Sequence, residues 1–157
     1  MTRVLSELRY QYGGKYRFEL LADLVVDIDL GLSGRHALCD GDKQWASLDG
    51  DRLTILKGYA FDGCSPAMRL FGKWHGTPTP RNAVAAAAVH DCLRGYLGLD
   101  CTDYTRAATD DVFYNMLRDA GFPLGGVYHG AVAGFLGNLY IKLTAARPKT
   151  ANCDTHP

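Results

Sequence analysis

The sequence predicts an α+β domain: an N-terminal antiparallel β meander followed by a three-helix C-terminal half. Two observations carry this. Polar and apolar residues alternate with the period of a strand up to Leu56, and from Thr79 onward the apolar spacing becomes helical. Between the two, Gly58 to Pro80 keeps neither period and mixes glycine, proline and aromatics, which predicts an irregular loop packed by its own side chains.

The chain has 157 residues, enough for one hydrophobic core, and we read positions 1–147 as a single domain with a flexible tail at 148–157. An apolar share of 47% beside 22% charged residues belongs to a globular chain. Seventeen basic residues balance 17 acidic ones, so no global field draws the protein to nucleic acid, and no nucleic-acid partner is expected. The longest apolar stretch, Val127 to Leu143, carries His129, Asn138 and Lys142; it reads as a buried helix, not a transmembrane segment. Met1 to Glu7 lacks the apolar run of a signal peptide, so export is not expected. The five cysteines include no CxxC pair, which predicts free thiols.

Taken in order, Lys15 to Leu20 alternates as a half-buried strand does, and Asp23 to Leu30 does so less cleanly. Asp40-Gly41-Asp42 is a hairpin turn between Ala37-Leu38-Cys39 and Gln44 to Leu48. Asp49-Gly50-Asp51 is a second such turn, leading into Arg52 to Leu56. Thr79-Pro80 supplies an N-cap and a first-turn proline for a helix from Arg81 to Leu97, stopped by Gly98. Thr105 caps a second helix ending near Gly121, and a third runs over roughly 126–143. The short connection between the first two helices predicts antiparallel packing.

The candidate site lies on those two helices. Five alanines precede His90 in the first, so another element can approach closely, and two ionisable groups there need partners. His90 and Asp91 are successive and diverge by about 100° around the helix axis. On the second helix Arg106 and Asp110 share a face that continues through Phe113 and Leu117. If that face meets the alanine-rich helix, Asp110 accepts a hydrogen bond from His90. A carboxylate on one ring nitrogen fixes the tautomer and leaves the other as a general base. Asp91, a hard oxygen ligand, is then placed to hold Ca²⁺ with Asp62 and carbonyls of the Gly58–Gly63 loop. The plainer reading of the same residues is Arg106–Asp110 and Asp91–Arg94 as ordinary helix ion pairs, with His90 a core histidine satisfied by a carboxylate. Ser65 is a candidate nucleophile near His90, but Asp-Gly-Cys-Ser is not a GxSxG elbow.

Asp62-Gly63-Cys64-Ser65-Pro66, His90-Asp91 and Arg106 to Phe113, in that order, resemble an uncharacterised bacteriophage-encoded family, a domain of unknown function. The resemblance covers about Leu53 to Phe135 and leaves Asp110 or Asp111 as the matching acid. It implies a phage or prophage origin, with the protein in the host cytoplasm or the virion. Asp62-Gly63-Cys64-Ser65, His90-Asp91 and Asp110 to Met116 also resemble the small secreted phospholipases A₂ of bacteria and fungi. That resemblance implies a hydrolase in which His90 activates the water that attacks an ester, Asp91 binds calcium and Asp110 orients His90. The chain departs from it where alanines replace the cysteine before His-Asp and where the following tyrosine is missing.

The expectation is therefore a phage protein with a phospholipase A₂-like, calcium-dependent ester hydrolase site and a lipid or ester substrate. Its rival is a non-enzymatic virion component, or a protein that binds a phage or host partner, in which the cluster is a structural polar network. A third reading makes His75, His90, Asp91 and Asp110 a zinc or manganese phosphohydrolase site.

Overall fold

The structure, a computed structural model, describes residues 2–12, 18–63, 68–70, 73–75, 79, 81–97 and 104–122. Ten short strands precede two α-helices among these residues. The strands are β1 (Arg3–Val4), β2 (Tyr10–Gln11), β3 (Phe18–Leu20), β4 (Leu24–Asp27), β5 (Arg35–Asp40), β6 (Lys43–Asp49), β7 (Arg52–Ile55), β8 (Ala60–Phe61), β9 (Met68–Leu70) and β10 (Lys73–His75). The helices are α1 (Val84–Gly95) and α2 (Arg106–Asp119). The chain is thus α+β with an N-terminal antiparallel sheet. The expected third helix, 126–143, and the tail lie outside the described residues, as do Cys64 and Ser65.

The sheet differs from a simple meander. β5, β6 and β7 follow one another through turns at Gly41-Asp42 and Gly50-Asp51, as the sequence predicts. β4, however, pairs with β7 and not with β5, giving the order β1-β4-β7-β6-β5. Pairing Leu24 with Ile55 and Val26 with Leu53 puts four buried aliphatic side chains opposite one another, on one face. The loop from Ile28 to Gly34 carries the chain to the far edge. Asp29 takes φ 56 there, and the Asp51 carboxylate accepts the backbone N–H groups of Leu30, Gly31 and Leu32 at 3.0, 3.1 and 2.8 Å. No alternation of apolar residues encodes that tether. β3 leaves this sheet altogether and joins β2 and β8 in a second one.

The stretch 58–80 also departs from expectation, since it contains β8 and the antiparallel β9–β10 hairpin. Strands of two or three residues are too short for their periodicity to register. At the first helix the expected Thr79 cap is not what starts α1. Arg81–Ala83 form a 3-10 turn, and the residue before α1 is Ala83, without a side-chain cap.

One core joins the five-stranded sheet, the β2-β3-β8 sheet and both helices, through Phe18, Leu24, Leu48, Leu53, Phe61, Val84, Val89, Leu93, Phe113 and Leu117 among others. In α1 the buried positions are Val84, Ala86, Ala87, Ala88, Val89, Cys92 and Leu93. Those positions run more than halfway round the helix, so α1 is enclosed on more than one side and small side chains are what fit. α2 is capped as expected: Thr105 Oγ1 accepts the N–H of Ala108 at 3.2 Å. The helices pack antiparallel and are pinned at both ends. The Tyr104 hydroxyl donates to the Leu93 carbonyl at 2.8 Å, and Asn82 Nδ2 donates to the Ala120 carbonyl at 3.1 Å. No helix among the described residues is long and apolar enough to cross a membrane.

Candidate functional site

His90 and Asp110 face each other across the α1–α2 interface because each helix turns its small or apolar stripe toward the other. On α2 that stripe is Thr109, Asp110, Val112, Phe113, Met116 and Leu117, all buried. Phe113 lies one turn beyond Asp110, and its ring packs on the His90 imidazole with centroids 4.7 Å apart. His90 Nε2 stands 3.1 Å from Asp110 Oδ1. The expected contact is therefore present, and the acid that makes it is Asp110. Asp111, its alternative, is exposed and lines a cleft of about 410 Å³ with Asp29, Asn115 and Arg118.

The other imidazole nitrogen, Nδ1, is 3.5 Å from Asp91 Oδ1. That is the wetter side of the ring: the Asp91 side chain keeps 30% of its surface, against 4% for Asp110.

The plainer reading of the sequence pairs Arg94 with Asp91 as an ordinary helix ion pair. The structure places its guanidinium on Asp110: Arg94 Nη2 lies 3.0 Å from Oδ1 and 3.3 Å from Oδ2, and Nε lies 3.1 Å from Oδ1. His90 and Arg94 are four residues apart on α1, so both project toward the same carboxylate. Arg106, the expected helix partner, reaches Asp110 only at 3.8 Å. Two cations thus meet one buried acid, and the nearer one comes from the neighbouring helix. The available signal was the spacing His90-x-x-x-Arg94, which puts a donor on the face already assigned to the histidine.

The electrostatics follow from this packing. Burial alone depresses the His90 pKa, but its hydrogen bonds to Asp110 and Asp91, with the Asp91 charge, outweigh that and raise it above 6.5. Burial alone raises the Asp110 pKa, but the bond to His90 and the charge of Arg94 outweigh that and hold it below 3.8. Asp110 is accordingly a carboxylate at neutral pH, and it stabilises an imidazolium on its neighbour.

Asp62 directly follows β8, which packs against α1, and is half-buried. Gly63 next to it takes φ +83, and a Cβ there would stand 2.7 Å from the Phe18 ring. Of the loop carbonyls expected to be available to a cation, that of Tyr59 already accepts the Leu20 N–H at 3.0 Å. Among the described residues no group of three or more His, Cys, Asp or Glu side chains stands together to hold a metal. His75 falls on β10, but its side chain lies outside the described residues. The Cys39 and Cys92 thiols are buried and outside any disulfide among the described residues.

The chain matches no family model, no curated protein and no solved structure. The two resemblances thus rest on the motifs themselves.

Proposed function

We propose that this is a phage-type protein of the host cytoplasm or virion whose His90–Asp110 pair serves ester hydrolysis, on a lipid or another ester, in the manner of a phospholipase A₂. The observation that carries the reading is the 3.1 Å contact between Nε2 and a buried, ionised carboxylate, with Nδ1 on the wetter side. A proton held on Nε2 by Asp110 leaves Nδ1, once it has lost the proton it shares with Asp91, with a lone pair to act as base. In that chemistry Nδ1 takes a proton from a water molecule while the water oxygen bonds to the ester carbonyl carbon. The tetrahedral adduct then collapses, the bond to the leaving oxygen breaks, and the imidazolium returns its proton to the departing alkoxide. Asp110 lowers the cost of the intervening imidazolium.

Calcium at Asp91 and Asp62 belongs to this proposal as a separate element. Calcium takes six to eight oxygens, of which Asp91 and Asp62 would supply the carboxylates and backbone carbonyls and water the rest.

A second reading has its own observation. Asp110 is held by Arg94 as well as by His90, with Arg106 nearby, in an interface where the Arg94 side chain keeps 10% of its surface. A buried polar network of this kind fixes helix register without turning over any substrate. Hydrolysis of phospholipid and short-chain esters, with and without calcium, separates the two. The enzyme reading expects turnover that His90→Ala abolishes while the fold persists. A wild-type protein inert on all of them, with His90→Ala only lowering Tm, would overturn it.

A further inference from the structure

We propose that Arg94 is the positioning residue of the His90–Asp110 pair, gripping the carboxylate so that one fixed oxygen meets Nε2. For its use in catalysis this rests on the reading of His90 as a base; the grip itself does not.

An aspartate carboxylate turns broadly about its last torsion and can offer either oxygen at many angles. At Asp110 that freedom is removed from one side. Arg94 Nη2 touches both oxygens, at 3.0 and 3.3 Å, and Nε adds a contact to Oδ1 at 3.1 Å. A planar guanidinium donating from two nitrogens sets the plane of the carboxylate as well as its distance, which a point charge does not. Oδ1, held in this way, is the oxygen that faces Nε2.

Arg106 cannot do the same. Its Nε is 3.8 Å from Oδ2, beyond a hydrogen bond, and its side chain keeps 27% of its surface against 10% for Arg94. Arg94 also stands beside the histidine it serves: its single Nε–H lies 3.1 Å from Oδ1 and 3.3 Å from Nε2, the carboxylate being the nearer acceptor, so with the ring proton on Nε2 both groups donate to Oδ1 from the same helix. A guanidinium stays protonated throughout the working range and so remains a donor there. The arrangement is then a triad, with His90 between the reacting side and Asp110, and Arg94 beside His90 on the same carboxylate.

Proton NMR of the full chain tests this without requiring activity. A ring N–H bonded to a buried carboxylate resonates far downfield and exchanges slowly, and its assignment to His90 follows from its loss in His90→Gln. The resonance is expected in the wild type and in Arg106→Met, and should be broadened or lost in Arg94→Met. If Arg94→Met does not fold by circular dichroism, Arg94→Lys decides, since it keeps the buried cation but not the planar fork; it too should shift or broaden the signal. A wild-type resonance unchanged in the folded Arg94 variant, or absent from the wild type, would overturn the proposal. Where esters are turned over, the same variant should lower kcat on the order of 100-fold with KM unchanged, as misplacement of a catalytic group does. Loss of the resonance in a protein inert on esters would leave the grip standing and remove the hydrolase reading.

Discussion

His90 Nε2 and Asp110 Oδ1 meet at 3.1 Å in an interface that leaves 12% of the histidine side chain and 4% of the aspartate side chain exposed. Their pKa values move in opposite directions, and this has a consequence for stability. The His90 pKa is raised in the fold, so its contribution is full below the ordinary 6.5 and is lost as pH rises through the raised value. The Asp110 pKa is lowered, so its contribution is full above the ordinary 3.8 and is lost as pH falls through the lowered value. Both are present between those two pH values. We expect the Tm advantage of the wild type over His90→Gln to be largest in that mildly acidic window and to shrink above it. An advantage that grows from pH 6 to pH 9 would contradict this.

Removing Asp110 leaves Arg94 buried without its carboxylate. Breaking a buried ion pair from one side costs about 3–5 kcal/mol, whereas an exposed or distant partner is worth about 1 kcal/mol or less. Asp110→Ala should therefore destabilise the protein several times more than Arg106→Ala. A double-mutant cycle should find the larger coupling for Arg94 with Asp110. Urea titrations giving equal losses for Asp110→Ala and Arg106→Ala would show that Arg94 is not the principal partner.

Asp51 makes a prediction away from the site. Its carboxylate satisfies the N–H groups of Leu30, Gly31 and Leu32, at the loop that sends β5 to the far edge of the sheet. Asp51→Ala leaves those donors to water or to nothing and should cost about 1–3 kcal/mol. Asp51→Asn retains the oxygen acceptor but loses the charge and should recover part of the loss. Chemical denaturation of the two variants checks the order.

Calcium binding through Asp91 and Asp62 is measurable directly by calorimetry. One or two carboxylates with backbone carbonyls make a weak site, about millimolar. Wild type should bind calcium in that range, and Asp91→Asn and Asp62→Asn should each weaken it. Equal affinity in wild type and Asp91→Asn would exclude Asp91 as a ligand. Tight zinc binding would point instead to the phosphohydrolase arrangement.

Much of the architecture is local and so was legible in the residues. The turns at Gly41-Asp42 and Gly50-Asp51, the Thr105 cap and the end of α2 near Gly121 are set by backbone preferences within a few positions. The same holds for the face of α2 that presents Asp110 with Phe113 and Leu117, because helical spacing alone puts them together. Local pattern cannot choose among distant partners. Whether β4 pairs with β5 or β7 depended on matching buried aliphatics and on the Asp51 tether, neither of which is encoded by neighbouring residues. Arg94 had two acids within reach by spacing, Asp91 on its own helix and Asp110 on the next. Tertiary packing decided for Asp110, since a carboxylate buried at 4% exposure needs a donor far more than one at 30%.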